Sequence, residues 1–176
     1  ITAHALDALE RSTVKRVTIV GRRGPAQAAW TGKELREILN TLPDVAVEID
    51  AAEVAVTESP QDKAEMKAAR VKKRCVGMLK KKLEETATSD VVAAEATKAL
   101  SLRFCLSPAE LHPTETLGYP SRLSGVSFTQ MSLQGEAGKQ RAVAVEGAEP
   151  ERMDAQLLLR SVGYRSVELE GLPWDN

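Results

Sequence analysis

The chain has 176 residues, long enough to bury a proper core, and its 43% hydrophobic and 28% charged content is that of an ordinary globular protein. No apolar run approaches the roughly 20 residues that a spanning helix needs, so a transmembrane helix is excluded. The net charge of −1 says nothing about partners, and with only Trp30, Trp174, Phe104, Phe128, Tyr119 and Tyr164 as rings the core must rest on Val, Leu, Ile and Ala.

Residues 4–12 carry Ala5, Leu6 and Leu9 at helical spacing. The chain opens on Ile1, in what reads as mid-helix and without an initiating Met, so we expect a segment of a longer protein whose targeting signal lies upstream. Lys15 to Gly21 reads as a buried strand, because Val17, Thr18, Ile19 and Val20 are mostly β-branched and Gly21 ends the run. Gly24-Pro25 marks a turn, with Pro25 suited to the first position of a short helix. Thr31-Gly32-Lys33-Glu34 has the form of a capping box, opening a helix with Leu35, Ile38, Leu39 and Leu42 on one face and a stop before Pro43.

Residues 44–62 are acidic and residues 63–82 strongly basic, the latter on a long helix expected after Pro60 with Ala68, Val71, Cys75, Leu79 and Leu83 as its apolar stripe. Beyond residue 100 the period becomes strand-like. Leu102 to Leu106, Gly125 to Leu133 and Ala142 to Val145 are expected to form a small antiparallel meander, and Gln156 to Ser161 to return as a strand into the main sheet. Cys75 and Cys105 lack metal-ligand spacing and are expected as buried free thiols; with His4 and His112 equally isolated, no zinc site is expected.

The most informative local feature is the end of the first strand, Val17-Thr-Ile-Val-Gly-Arg-Arg-Gly24. In dinucleotide-binding folds an acidic residue at the second strand's end bonds the ribose 2′-hydroxyl of NAD, and arginine there accommodates the 2′-phosphate of NADP. Arg22 and Arg23 fit the second case, since guanidinium forks match phosphate geometry and keep their charge at any working pH. By spacing alone the pair also reads as ordinary surface residues of a loop. The Gly-x-Gly-x-x-Gly/Ala turn of such folds does not occur in the sequence, and on this reading it lies upstream of Ile1.

The string from Lys15 to Ile38, Val-Gly-Arg-Arg-Gly-Pro-Ala-Gln-Ala-Ala-Trp-Thr-Gly-Lys-Glu-Leu-Arg-Glu-Ile at its centre, closely resembles the mitochondrial adrenodoxin reductase (ferredoxin–NADP⁺ reductase) family, with Trp30 where vertebrate members carry Phe. The likeness continues through Ala68 to Arg74, through Leu102-Arg103-Phe104 with Ser107-Pro108, and through Leu158 to Ser166. It implies an α/β fold: a truncated Rossmann-like NADP-binding domain of a two-dinucleotide-binding, glutathione-reductase-like flavoprotein, spanning residues 1–176 as one domain. The resemblance further implies that Arg22 and Arg23 hold the 2′-phosphate and that Glu34 completes the adenosine-ribose pocket, although its capping-box position alone would also explain a Glu. It implies FAD in the parent enzyme, outside this segment, and an adrenodoxin-type [2Fe–2S] ferredoxin as partner. A mitochondrial matrix location follows only from the same likeness. The segment alone is expected to be inactive, since no residue in it forms a convincing acid, base or nucleophile constellation.

Arg70 and Arg74 are four apart and so share a helix face, with Lys63 and Lys67 expected one and two turns earlier. Without aromatics among them, these residues read as a solvated face and not as a nucleic-acid surface. The resemblance gives Arg36, Arg70 and Arg74 a more specific meaning, as the basic patch that docks the acidic ferredoxin. Other readings are the NADP domain of a glutamate synthase small-subunit or thioredoxin-reductase relative, or a basic-helix interaction module with no nucleotide site. Loss of the sheet's first strand would leave an open strand edge, through which self-association is expected.

Overall fold

A computed structural model describes residues 1–40, 44–88, 97–114, 122–163, 167–168, 170–171 and 173–174. Its first half is built around a parallel sheet. Helix α1 (Ala3–Glu10) forms where the apolar spacing placed it, but it buries no residue. Strand β1 (Arg16–Gly21) follows, and then a 3-10 turn over Pro25–Gln27 with proline at its start. Helix α2 (Gly32–Asn40) opens on the expected capping box and buries Leu35 and Leu39; the stop expected before Pro43 lies outside the described residues.

Strand β2 (Val45–Ile49) was hidden in sequence by the acidic run around it, although Val45, Val47 and Ile49 alternate with Ala46 and Glu48. Asp50 ends the strand and caps α3 (Ala51–Ala55), its carboxylate accepting from the main-chain N–H of Ala52 and Glu53. Ser59 caps α4 (Pro60–Ala68) by accepting from Asp62 N.

The single long helix expected after Pro60 is in fact two. Ala69 adopts φ −124° and ψ 94°, an extended conformation that ends α4, and α5 (Arg70–Thr88) starts afresh. The new helix has its own phase, so Ala68 and Val71 are exposed and the buried stripe is Cys75, Val76 and Leu79. Leu79 has no exposed surface, and its replacement by alanine is expected to cost about 2–5 kcal/mol.

Strand β3 (Lys98–Phe104) corrects a second expectation. Leu102 to Phe104 belong to the parallel sheet, as its central strand in the order β1-β3-β2, and not to the meander. Leu100, Leu102 and Phe104 face Leu35, Leu39, Cys75 and Leu79, so α2 and α5 cover one face of this sheet with a leucine-rich core. Trp30 meets Phe104 edge-on, the ring centroids 5.8 Å apart.

The meander starts one residue after the parallel strand. Strands β4 (Leu106–Pro113), β5 (Leu123–Gln134) and β6 (Arg141–Ala144) are antiparallel neighbours, and β7 (Glu151–Asp154), not expected from sequence, pairs with β5. Leu106, Val126 and Phe128 form its small core, against which Val20 of the parallel sheet also packs. Arg103 joins the layers, bound through Nε to Glu53 at 2.7 Å and through both terminal nitrogens to Glu151 at 2.7 and 2.8 Å.

The return strand expected at Gln156 to Ser161 does not form. Residues 157–161 have no regular structure, and Leu157, Leu158 and Leu159 are exposed. An apolar run becomes a strand only where a sheet edge receives it, and no described strand pairs with this one.

Candidate functional site

The carboxyl ends of parallel strands are where open α/β sheets place ligands. At that end of β1 the chain leaves the sheet at Arg22 and Arg23, both exposed and neither ion-paired among the described residues. The backbone beneath them is held firmly. Arg23 O accepts from Cys105 N at 3.2 Å, and Gly24 O accepts from Gln27 N at 3.1 Å. A β-carbon on Gly24 would come within 3.0 Å of Gln27 Oε1 and 3.2 Å of side-chain carbons of both Leu133 and Val56, so any larger residue would have to push these side chains aside. Thus two exposed cationic side chains stand on a hydrogen-bonded, closely packed turn.

Glu34 follows in the first turn of α2. Its Oε2 accepts from Thr31 N at 2.8 Å while Thr31 Oγ1 accepts from Glu34 N at 3.2 Å, the reciprocal pair of a capping box. Hydrogen bonds from the Thr31 backbone, then its side chain, hold the Glu34 carboxyl below the usual range despite slight desolvation. The structure therefore commits the Glu34 carboxylate to the cap of α2.

Arg36 and Arg74 come from different helices and line one cleft of about 280 Å³ between α2 and α5, with Leu39, Asn40 and Met78 at its wall. Arg70 lies one turn before Arg74 on the same helix, and all three arginines are exposed. Lys63 and Lys67 do not extend this face, because the break at Ala69 puts them on another helix. Several lysines of the basic block are also already paired: Lys63 and Lys80 with Glu58, Lys72 with Glu65, and Lys81 with Glu85. The unpaired cations among the described residues of this region are the three arginines with Lys67, Lys73 and Lys82.

A larger cleft, about 540 Å³, lies beside β2 at the amino ends of β1 and β3, lined by Lys15, Arg16, Glu48, Lys82 and Lys98 among others. It is at the wrong end of the sheet for a dinucleotide. Among the described residues no cluster of His, Cys, Asp or Glu has a metal-binding arrangement, and no helix is long and apolar enough to cross a membrane. Both cysteines are free, Cys75 buried and Cys105 half-buried, and burial pushes the Cys105 thiol up to about 11. Two residues that shape the turn were missed as such in the sequence, where Cys105 was read only as a buried thiol and Gln27 not at all. Cys105 stands at φ 56° with no sequence signal for it, and Gln27 is the lone polar residue in the run Gly24 to Ala29.

In an alignment of 177 positions that covers the whole of this chain, 36% are identical to the mitochondrial NADPH:adrenodoxin oxidoreductase of Arabidopsis thaliana. Along its whole length the chain is similar to one part of adrenodoxin and ferredoxin reductases. The counterpart from Salvelinus fontinalis is 37% identical over 99% of the chain, and the NADPH-ferredoxin reductase FprA of Mycobacterium tuberculosis is 33% identical over the whole of it. The chain spans about a third of the length of these relatives: 35%, 34% and 35%. Among solved structures, Mycobacterium tuberculosis FprA in complex with NADPH superposes with a TM-score of 0.74 at 32% identity, over 99% of this chain and 35% of that one. The α/β architecture is thus that of an adrenodoxin reductase segment. No protein-family model matches.

Proposed function

We propose that the chain is the NADP(H)-binding portion of a flavin-dependent ferredoxin reductase, in which electrons pass from NADPH through FAD to a [2Fe–2S] ferredoxin. The observation that carries this reading is the pair Arg22 and Arg23, exposed and without ion-pair partners at the carboxyl end of a parallel strand. Support comes from the likeness to a relative solved with NADPH. Unpaired guanidinium groups fit a 2′-phosphate dianion, and charge-assisted bonds worth roughly 1.5–3 kcal/mol each favour NADP over NAD.

This chain's residues bind and orient. Arg22 and Arg23 take the 2′-phosphate; Glu34 stands in the next helix's first turn, near enough in sequence to border the adenosine ribose while it caps α2. Flavin in the complete enzyme supplies the conversion of a two-electron donor into single-electron transfers, and no residue here is assigned to it. Arg36, Arg70 and Arg74 form the docking face for the acidic ferredoxin, where an unpaired positive field steers the encounter. The mitochondrial names of several relatives support a location in the mitochondrion, and FprA, which is bacterial, supports only the activity.

Titration of the chain with 2′,5′-ADP and with 5′-AMP tests the nucleotide reading. Preferential binding of 2′,5′-ADP, lost on replacing Arg22 and Arg23 by alanine, is the expected result; equal or absent binding of the two overturns it.

A further inference from the structure

Gln27 is 7% exposed, and it is surrounded by groups buried as deeply: Asp62 at 1%, Glu65 at 6% and Gln140 at 8%. Its Nε2 lies 2.5 Å from Asp62 Oδ1, 3.1 Å from Glu65 Oε2 and 3.2 Å from Gln140 Oε1. Two of these acceptors belong to α4, and the third sits just before β6 in the β5–β6 connection. One amide nitrogen with two hydrogens therefore serves three acceptors on two separate elements. Its own carbonyl, Oε1, is buried without a partner and lies over Gly24, 3.0 Å from where a β-carbon would stand.

That arrangement fixes the amide's sense. Turned over, it would aim a carbonyl at two carboxylates and leave both short of a donor. Buried carboxylates are tolerated only when supplied with donors. Asp62 has Gln27 and the Ser59 hydroxyl at 2.7 Å; Glu65 has Gln27 and Lys72. Displacement of Gln27 would thus remove a charge-assisted bond from each of two buried anions at once. The turn cannot drift while those bonds hold.

Gln27 lies four residues beyond Arg23, and the other fixed point is the bond from Cys105 N to Arg23 O. The segment from Arg23 to Gln27 is pinned at both ends, and a β-carbon on Gly24 between them would press on Gln27 Oε1, Leu133 and Val56. Preorganisation of this kind improves binding by reducing the ordering that the ligand must impose.

We propose that Gln27, its side-chain amide held between α4 and the β5–β6 connection, is the positioning residue that fixes the turn presenting Arg22 and Arg23 to the 2′-phosphate. This rests on the NADP reading above. It adds a specificity role for a residue that touches no ligand.

The test replaces Gln27 by methionine, which keeps the length and removes both donors. On the full chain, calorimetry with 2′,5′-ADP and 5′-AMP and hydrogen–deuterium exchange over residues 21–28 are compared with wild type. Gln27→Met is expected to weaken 2′,5′-ADP binding about tenfold, the scale of one charge-assisted bond, while 5′-AMP binding changes less than about twofold. Exchange in the turn is expected to accelerate, with that in α5 unchanged. An unchanged ratio between the two nucleotides overturns the positioning role even if the variant is less stable. Where wild type itself fails to discriminate, the NADP reading falls and this proposal with it. Should Gln27→Met not fold, the isosteric Asp62→Asn weakens the same grip, and a ratio equal to wild type there overturns the proposal too.

Discussion

The main-chain N–H of Cys105 donates to the carbonyl of Arg23 over 3.2 Å, joining the corner between the two sheets to the turn that carries the arginine pair. Cys105 also accepts from Met131 N at 2.7 Å through its own carbonyl, so both of its backbone polar groups are committed. To serve both, it adopts φ 56°, a left-handed conformation that non-glycine residues rarely occupy.

That conformation predicts a reversed order of substitution. An L-residue in the left-handed region carries a cost of roughly 1–2 kcal/mol that glycine avoids. Urea unfolding should therefore find Cys105→Gly about 1 kcal/mol more stable than Cys105→Ala, and Cys105→Val the least stable of the three. Alanine equal to or better than glycine would mean that the corner does not keep this geometry in solution.

Glu58 gives a prediction about acid. Hydrogen bonds from Lys80 and then Lys63 lower its carboxyl from 4.5 to about 2. Because the folded value is the depressed one, the stabilisation is complete above the unfolded value and disappears as pH falls through the folded value. Glu58→Gln should melt lower than wild type at pH 7, with the two curves converging between pH 4.5 and 2. The group is exposed, so concentrated salt should also narrow the gap. A difference that persisted below pH 2 would assign the effect to something other than this carboxylate.

How much of this was legible in sequence depended on whether the signal was local. The β1 strand, the Pro25 turn and the Thr31–Glu34 box are written in adjacent residues and formed where expected, although β1 was expected to be buried and is exposed from Arg16 to Ile19. The position of Arg22 and Arg23 directly after β1 was legible for the same reason. The break at Ala69 was not, because alanine is a strong helix former and only tertiary packing of α4 and α5 sets its φ. Strand β2 was masked by Asp44, Glu48 and Asp50, although Glu48 is held by Arg16 at 2.5 Å and by Ser101, partners far away in the chain. Cys105 and Gln27 depend on contacts with Arg23, Asp62 and Gln140, and no spacing rule reaches across such separations.

The pairing of the basic block separates cations already bound within the fold from those that the proposed docking would use. Lys63 and Lys80 are occupied by Glu58, whereas Arg36, Arg70 and Arg74 have no ion-pair partner among the described residues. For binding to an acidic [2Fe–2S] ferredoxin, Arg74→Gln should reduce the association rate and flatten its salt dependence, and Lys63→Gln should do so far less. Stopped-flow association across a range of ionic strength would measure both. Equal effects from the two substitutions would show that the net charge of the block, and not its geometry, attracts the partner.

Strand β1 bears the last prediction. Among the described residues it pairs only with β3, leaving its other edge open, and Val17 and Ile19 are 49% and 44% exposed along it. An edge that is both apolar and unpaired is a template for another strand, and natural proteins commonly blunt such edges with lysine. The chain is therefore expected to self-associate as its concentration rises. Val17→Lys should shift it to monomer in sedimentation velocity, with its far-ultraviolet circular dichroism unchanged. The substitution places a charge on the edge while leaving the leucine core under α2 and α5 untouched, so a loss of helix signal would indicate damage to the fold instead. Wild-type chain that sediments as a monomer at every concentration would remove β1 as an association surface.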